Sequence, residues 1–296
     1  MLDKIYQELT DTVRFSMNES IDKERIERSL GAVMDAFENN PYNDLLLYFY
    51  NSSRDNYIYD HIVNSVVLSI AFATNLGLSK QEIQEIALCA FGHDFGMKDY
   101  FDFCQKTTAL TPQETQRIRE HPQRSVEIFR PFFPQNVLDG ILDIHECVNG
   151  EGYPKGKKEE EISFLAKIVS LCDVFEALTH PRAFRGEFSP YEAMKMIIRK
   201  KDIIFEKKVI KKFVEFMSIY PIGSLVHINT GEIGIVIGAN AQFPTRSVLK
   251  ILMNGEKQVQ QDGRVINLLN DHLVYINGPV APGEEKELRA AFAIYP

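Results

Sequence analysis

The chain has 296 residues, 45% of them hydrophobic, and its formal net charge is −8 at pH 7. That length accommodates one large domain or two smaller ones, and the acidic balance argues against sequence-independent binding to duplex nucleic acid or anionic membranes. No apolar run approaches the roughly 20 residues of a membrane-spanning helix, and the first residues lack the apolar stretch of a signal peptide. We therefore expect a cytoplasmic protein without a membrane span.

Apolar residues recur at helical intervals from the start of the chain to about residue 219. The pattern predicts a helical entry segment over residues 1–50 and a helical bundle over residues 51–219. Ser79, Thr111 and Ser189 are candidate helix N-caps, and a proline follows the last two at the first helical position. A mainly α-helical fold is expected.

The sequence pattern changes after Pro221. Short β-branched runs at 224–228, 233–237 and 248–252 are separated by turn compositions. They predict a small antiparallel β-module over residues 220–296. Packing of this module against the bundle is the expected role, and docking of a partner protein or dimerisation is the alternative.

The four cysteines, Cys89, Cys104, Cys147 and Cys172, show no CxxC spacing. Three of them lie inside apolar helical patterns. Reduced, packed thiols are therefore expected rather than a disulfide or zinc framework.

The residues able to carry chemistry lie between positions 61 and 180. His93 and Asp94 are adjacent at the end of a helical pattern, where both side chains can point at one ion. That pair alone is a weak signal, because a capping Asp beside a half-buried His is common. Five of the seven histidines lie in this region, at His61, His93, His121, His145 and His180. Asp173 lies in an apolar stretch, where an unpaired carboxylate is costly. Since bundles build metal sites from inward His and Asp side chains, these residues predict one.

The order of these residues resembles the HD-GYP phosphodiesterases, a branch of the HD superfamily that hydrolyses the bacterial second messenger cyclic di-GMP. The resemblance covers about residues 57–215. It is carried by His61, His93-Asp94, His121-Pro122, His145-Glu146, Gly150-Glu151-Gly152-Tyr153-Pro154, the run from Asp173 to Thr179, and Arg182. The β-module also resembles an appendage found on many such proteins. The resemblance implies an HD-type helical bundle.

The resemblance further implies two metal ions, iron or manganese. His61, His93, Asp94 and Asp173 match the general HD metal set, with His93 and Asp94 as the catalytic pair. Asp94 would bridge to a second ion held by His121 and His145, and His180 is not a ligand in the family pattern. The ions would lower the pKa of a bridging water and polarise the scissile phosphodiester. In-line attack would open cyclic di-GMP to linear pGpG, and further hydrolysis would give GMP.

The resemblance also implies a set of substrate contacts. Gly152, Tyr153 and Pro154 would form a loop beside the substrate. Arg182 and Arg185 would face the phosphates, a bidentate task suited to guanidinium groups. The family's HDxGK lysine is replaced by Met97, with Lys98 as a displaced substitute, since one helical step turns a side chain through about 100°.

Four further departures from the family pattern matter. Ile144 replaces the first histidine of a family pair, so the second ion is expected to bind more weakly. Tyr57 occupies the place of a Glu that holds a third ion in some members, which favours two ions. Asn149 and Ser125 replace the Asp of DGxGYP and the Gly of HPxxG.

Three functional hypotheses remain open on the sequence. The first is a metal-dependent cyclic di-GMP phosphodiesterase. The second is a catalytically weak receptor or scaffold that binds nucleotide or a signalling protein partner, and Met97 and Ile144 favour it. The third is an HD-type phosphohydrolase that acts on another nucleotide.

Overall fold

The computed structural model describes residues 2–39, 45–48, 57–106, 108–180, 188–260 and 263–291. Helices precede a five-stranded sheet, and one helix follows the sheet. The helices are α1 (Leu2–Asn18), α2 (Lys23–Asn39), α3 (Leu45–Tyr48), α4 (Tyr57–Asn75), α5 (Lys80–Gly92), α6 (Phe101–Cys104), α7 (Pro112–Ile118), α8 (His121–Phe129), α9 (Gln135–Asp143), α10 (Phe164–Thr179), α11 (Pro190–Arg199), α12 (Lys207–Met217) and α13 (Pro282–Ala291). Short 3₁₀ helices cover Phe95–Tyr100 and Glu159–Glu161. The expected mainly helical fold with a terminal β-module is confirmed.

Three helices begin where the sequence predicts. Ser79, Thr111 and Ser189 each accept a hydrogen bond from the main-chain N–H three residues on, and a glutamate at that position bonds back to the cap. These capping boxes satisfy main-chain N–H groups that a helix start leaves unpaired. Pro112 and Pro190 occupy the first helical position after Thr111 and Ser189.

Helix α4 lies at the centre of the bundle. It packs against α1, α2, α5 and α10, and fourteen of its residues are buried, including the polar His61 and Asn64. Although α4 is long and largely apolar, none of the helices in the described ranges is long and apolar enough to cross a membrane. Buried polar groups need hydrogen-bond partners, and His61 and Asn64 find theirs on α10 and α1.

The sheet comprises β1 (Leu225–Ile228), β2 (Ile233–Gly238), β3 (Val248–Met253), β4 (Val265–Asn267) and β5 (Ile276–Pro279). The strand order is β4-β3-β2-β1-β5, with every pair antiparallel. Strands β1 to β3 coincide with the three predicted runs.

Both faces of the sheet are covered. Val226, Val236 and Leu249 belong to the same buried cluster as the helical core. Leu225 and Leu288 belong to a second buried cluster, which brings α13 to the opposite face. Successive side chains of the strands thus point into two different apolar layers. Through one of these layers the β-module packs against the helical bundle.

The four cysteines are free thiols. Cys89 and Cys172 are buried, and burial raises the pKa of Cys172 to about 12. Cys89 and Cys172 are thus packed as predicted, whereas Cys104 and Cys147 are only partly buried.

Candidate metal centre

The six predicted ligands come together where five helices meet. His61 lies in the second turn of α4, and Asp173 lies in α10. His93 and Asp94 directly follow α5, His121 begins α8, and His145 lies two residues after α9. They form two groups, His61, His93 and Asp173, and Asp94, His121 and His145. Within each group the ligand atoms lie within 4.8 Å of one another.

The first group converges on Nε2 of His61. This atom lies 3.1 Å from Oδ1 of Asp173 and 3.4 Å from Nε2 of His93. Nε2 of His93 lies 3.9 Å from the same Asp173 oxygen. Two imidazole nitrogens and a carboxylate oxygen therefore face one point.

Asp94 joins the two groups. Its Oδ2 lies 3.4 Å from Nε2 of His61, and its Oδ1 lies 3.2 Å from Nε2 of His121. On that second side, Nε2 of His121 is 2.9 Å from Nε2 of His145. One carboxylate thus presents an oxygen to each group, which is the arrangement that lets it bridge two ions.

Main-chain carbonyl groups fix two of the imidazole rings. Nδ1 of His93 donates to the oxygen of Ala90, and Nδ1 of His121 donates to the oxygen of Ile118, both at 2.7 Å. A carbonyl oxygen only accepts, so Nδ1 carries the proton in each ring. Nε2 is therefore the ring nitrogen that can bind an ion.

A carboxylate performs the same task for His61. Nδ1 of His61 donates to Oε2 of Glu176, which is 1% exposed. Oε1 of Glu176 accepts from Nδ2 of Asn64 at 3.2 Å. His180 is also buried, and its Nδ1 lies 3.1 Å from Oε1 of Glu176. His180 is absent from both groups of candidate ligands, so it serves this outer layer of contacts.

Sequence reasoning assigned no role to Glu176. A charged residue three positions after Asp173, in an otherwise apolar helix, was the available signal, because a fully buried carboxylate requires partners.

The carboxylates are held in their charged form. Burial raises the pKa of Asp94, but His93, His121 and other nearby imidazoles outweigh this effect and hold the pKa well below its usual value. Burial also raises the pKa of Asp173, but the hydrogen bond and the charge of His61 outweigh this effect, and the pKa is lowered. Burial also raises the pKa of Glu176, but His180 and His61 lower it to about 2. Acceptor oxygens are thus available throughout the centre.

The pKa values of the imidazoles are shifted in two directions. Burial lowers the pKa of His61, but Tyr57 and the surrounding carboxylates raise it well above its usual value. The pKa of His121 is raised as well, because Asp94 outweighs burial. Burial and then the charge of His121 lower the pKa of His145 to about 4. A divalent ion that binds here would displace protons from His61 and His121 and meet a neutral His145.

A cavity of about 220 Å³ opens over the two groups. Its wall includes His61, Asp94, His121, His145 and Asp173, together with Tyr57, Ile58, Met97, Phe103, Cys104, Leu110, Ile118 and Tyr153. Five of the six candidate ligands therefore line a largely apolar pocket, where electrostatic interactions are stronger than in water.

Ring stacking and hydrogen bonds hold the loop predicted to lie beside the substrate next to the second group of candidate ligands. Tyr153 stacks on the ring of His145 with centroids 4.8 Å apart, and its N–H donates to the oxygen of His145. A side chain at Gly152 would place a Cβ 2.3 Å from the nitrogen of Cys147, so the close approach requires glycine. Glu146 accepts from the N–H groups of Lys155 and Lys157 at 2.7 and 2.8 Å. Gly152 thus allows the close approach of this loop, and of Gly152, Tyr153 and Pro154 only Tyr153 lines the cavity.

The predicted cations have different placements. Lys98 is exposed and is absent from the cavity wall, whereas Met97 lines it. Successive residues of the 3₁₀ helix point in different directions, so the one-residue displacement carries the lysine away from the cavity. The geometry therefore gives no support to Lys98 as a phosphate contact. Arg182 and Arg185 lie outside the described residues.

Three of the residues that depart from the family pattern make defined contacts in the structure. Ser125 accepts from the N–H of Gly96 at 2.8 Å and donates to the oxygen of His93 at 2.9 Å, which ties α8 to the His93-Asp94 turn. Tyr57 stacks on His61 with centroids 5.6 Å apart. Ile144 is buried in the helical core, adjacent in sequence to His145. The second group therefore has no ligand from position 144.

The donor set fits divalent transition ions. Imidazole nitrogens suit iron and zinc, and carboxylate oxygens suit manganese and magnesium. Each group contains two histidines and one aspartate, so an ion held by either group would keep coordination positions for water or substrate.

Comparisons with known proteins agree with this geometry. The HD domain family model matches residues 52–209, and a model described as a KOW domain associated with HD domain matches residues 225–288. A cyclic di-GMP phosphodiesterase of Pseudomonas aeruginosa is 30% identical over 229 residues, which cover 76% of this chain and 55% of that protein. A 3′3′-cGAMP-specific phosphodiesterase of Vibrio cholerae is 27% identical over 147 residues, covering 49% of this chain and 34% of that protein. The chain thus spans about half the length, or less, of these curated relatives.

A solved structure shares the fold. An HDG"Y"P protein from Bdellovibrio bacteriovorus superposes with a TM-score of 0.61 at 23% identity, over 71% of this chain and 69% of that one. The HD domain match extends over more than half of the chain and contains all six candidate ligands. The chain belongs to the HD domain family.

Proposed function

We propose that the protein is a metal-dependent phosphodiesterase that hydrolyses cyclic di-GMP to pGpG, GMP or both. The observation that carries this proposal is the position of Asp94, whose two oxygens face separate groups of imidazoles beneath an open cavity. The Pseudomonas relative, a cyclic di-GMP phosphodiesterase, supports the choice of substrate.

Two divalent ions, iron or manganese, fit this centre. His61, His93, Asp94 and Asp173 would hold the first, and Asp94, His121 and His145 would hold the second. When bound, the ions would supply Lewis acidity toward the phosphodiester and lower the pKa of a water molecule. The second ion has one imidazole fewer than in the family pattern because Ile144 occupies that position, so it should bind more weakly.

The chain's own residues would orient the substrate. Tyr153 forms one wall of the cavity beside His145. Burial raises the pKa of Tyr153 above its usual value, so the phenol stays protonated and can donate a hydrogen bond to a phosphate oxygen. The apolar residues around it exclude water from the reacting group.

Positive charge for the phosphates would come from the end of α7. Among the described residues that line the cavity, none is a lysine or arginine. The guanidinium group of Arg119 lies over the ring of Tyr153 at 5.2 Å, and that of Arg117 lies over the ring of Phe103 at 5.3 Å. Both rings line the cavity, so the two arginines stand at its rim, where they could receive an anionic ligand. Arg182 and Arg185 remain predicted phosphate contacts.

We also propose the organisation expected from the sequence, with a helical entry segment over 1–50, the phosphohydrolase domain over 51–219 and the β-module over 220–296. A cytoplasmic location agrees with the proposed substrate, a bacterial second messenger. A signalling protein could bind the β-module.

The experiment that tests this function follows cyclic di-GMP by chromatography after incubation with the 296-residue chain reconstituted anaerobically with iron or manganese. The His93→Ala and Asp94→Ala variants serve as controls. Appearance of pGpG or GMP only with the unmutated protein is expected. Absence of product, with metal confirmed bound in the same sample, would refute the proposed hydrolysis of cyclic di-GMP.

Two alternatives have their own support. The Vibrio relative specific for 3′3′-cGAMP favours a test of that dinucleotide in parallel, and faster hydrolysis of it would reassign the substrate. Met97 on the cavity wall, where the family has a lysine, favours a receptor or scaffold. Binding of cyclic di-GMP without product, in the presence of metal, would establish that reading.

A further inference from the structure

The N-terminal helix α1 reaches the outer contacts of the metal centre through Tyr6. The hydroxyl of Tyr6 donates to Oδ1 of Asn64 at 2.7 Å. Nδ2 of Asn64 donates to Oε1 of Glu176 at 3.2 Å, and Oε2 of Glu176 accepts from Nδ1 of His61. Tyr6 lies outside the HD domain match, which begins at residue 52.

The direction of each hydrogen bond in this chain is determined by chemistry. A charged carboxylate only accepts, so the Asn64 amide must turn its NH₂ group toward Glu176. The carbonyl oxygen of Asn64 then faces Tyr6, which must donate its hydroxyl proton. Exchange of the amide oxygen and nitrogen would break the bond to Glu176 and would place an NH₂ group, which cannot accept, against the Tyr6 hydroxyl.

Burial makes the arrangement costly to disturb. Asn64 is fully buried, and Glu176 is 1% exposed. The second hydrogen of Asn64 Nδ2 faces Nε2 of His180 at 3.4 Å, which accepts because Nδ1 of His180 donates to the main-chain oxygen of Glu176 at 2.9 Å. Each buried polar group therefore constrains the next, and removal of the Tyr6 hydroxyl takes one donor from a buried acceptor.

We propose that Tyr6 is a positioning residue for the metal centre, and that α1 thereby sets how tightly the first ion is held. This inference rests on the metal-binding site of the proposed function. With Tyr6 in place, Asn64 has one orientation, Glu176 is held at both oxygens, and the ring of His61 is aimed with Nε2 toward the ion. Without the hydroxyl, Oδ1 of Asn64 loses the bond that ties it to α1, and only the contacts of Nδ2 with Glu176 and His180 then hold the amide.

The test uses the full chain and a direct measure of metal binding. Free Mn²⁺ is followed by its electron paramagnetic resonance signal during titration of the Tyr6→Phe variant, which removes only the hydroxyl. Mn²⁺ binding at the first site should weaken about two- to tenfold, the equivalent of one ordinary hydrogen bond. Asn64→Leu, which removes both links, should weaken it about 10–100-fold, as expected for an outer partner of a ligand.

The chain offers a matched control. The hydroxyl of Tyr59 on α4 donates to Oδ1 of Asn18 on α1 at 3.2 Å, so Tyr59→Phe removes another tyrosine-to-asparagine bond between the same two helices. It should leave Mn²⁺ affinity unchanged. Thermal unfolding of both variants separates a loss of stability from a loss of affinity.

The outcomes separate the two proposals. If Tyr6→Phe and the unmutated protein bind Mn²⁺ equally, the role of Tyr6 is refuted while the metal site stands. If Tyr6→Phe and Tyr59→Phe weaken binding alike, α1 acts only by packing and the role is likewise refuted. If the unmutated protein binds no Mn²⁺, iron or zinc, the proposed function is refuted, and the role of Tyr6 is refuted with it.

Discussion

Oδ1 of Asp94 lies 3.2 Å from Nε2 of His121, on the side of the carboxylate turned away from His61. Asp94 is thus shared by both groups of candidate ligands, whereas Asp173 faces only the first group. A change at Asp94 should therefore affect both ions, and the same change at Asp173 should affect one.

The first prediction compares Asp94→Asn with Asp173→Asn by metal analysis of the purified, reconstituted protein. Asp94→Asn should reduce the affinity for both ions, by more than the roughly 10–100-fold typical of outer partners, because a charged ligand oxygen is lost. Asp173→Asn should leave about one ion per chain, at the His121 and His145 group. Equal stoichiometry for the two variants would contradict the bridging role of Asp94.

A second prediction concerns Glu176, whose oxygens accept from two different donors. In Glu176→Gln one oxygen becomes an NH₂ group, which cannot accept from either His61 or Asn64. We expect a roughly 10–100-fold loss of Mn²⁺ affinity and a parallel loss of hydrolysis.

Glu151→Gln is the matched control for this change. Glu151 is an exposed residue of the neighbouring loop, and its Oε2 accepts from Nδ2 of Asn149 at 2.8 Å. The control removes the same charge without touching a buried donor, so metal affinity should not change. If Glu176→Gln behaves like the control, Glu176 does not orient His61.

The third prediction concerns the turn that carries His93 and Asp94. A Cβ at Gly96 would lie 2.2 Å from the oxygen of His121 and 2.9 Å from the nitrogen of Ser125. Gly96→Ala should therefore displace α8 and lower the free energy of unfolding by about 1–3 kcal/mol or more. Gly31→Ala, in α2, has no atom within 4 Å of its Cβ and should stabilise the protein by about 0.5–1 kcal/mol. Urea unfolding of both variants measures the difference, and a neutral Gly96→Ala would show that α8 adapts.

Residue order together with the family resemblance predicted six candidate ligands, and the structure brings these side chains together in two groups. His93 and Asp94 are adjacent at the end of a helical pattern, and His121 and His145 lie at the beginning and just past the end of other helices. Side chains at helix ends in a bundle converge because the helices pack side by side. The three N-caps were equally predictable, since they depend on contacts within four residues.

The outer contacts could not be predicted, because they join distant parts of the chain. Asn64 is 58 residues from Tyr6 and 112 residues from Glu176. No local pattern marks such a pair, and a buried asparagine in an apolar helix indicates only that some partner exists. The structural role of Ser125 was hidden for the same reason.

The β-module was predicted in part. Strands β1 to β3 lie in runs rich in β-branched and apolar residues, but β4 has only three residues and β5 contains Asn277, Gly278 and Pro279, which are typical of turns. Val265 in β4 is 60% exposed, so no alternation between a buried and an exposed face distinguishes that strand. Pairing with β3 defines β4, and pairing with β1 defines β5.

The last prediction concerns Arg119 at the rim of the cavity. Its guanidinium group lies over the ring of Tyr153, which in turn stacks on His145. If it receives a substrate phosphate, Arg119→Ala should lower kcat/KM for cyclic di-GMP about tenfold, mainly through KM, since a charge-assisted hydrogen bond is lost. Arg119→Lys keeps the charge but loses the planar, bidentate group, so an intermediate value is expected.

Arg130, an exposed residue that follows α8, provides the control for removal of a surface charge. Arg130→Ala should leave kcat/KM unchanged at moderate ionic strength, because screening weakens the effect of a distant exposed charge. Metal content is measured for all three variants, since Arg119 touches the ring next to a candidate ligand. A tenfold fall in kcat/KM at unchanged metal content would assign the phosphate contact to Arg119. Equal kcat/KM values for Arg119→Ala and Arg130→Ala would show that Arg119 does not bind a substrate phosphate. The predicted contacts at Arg182 and Arg185 would then be tested next.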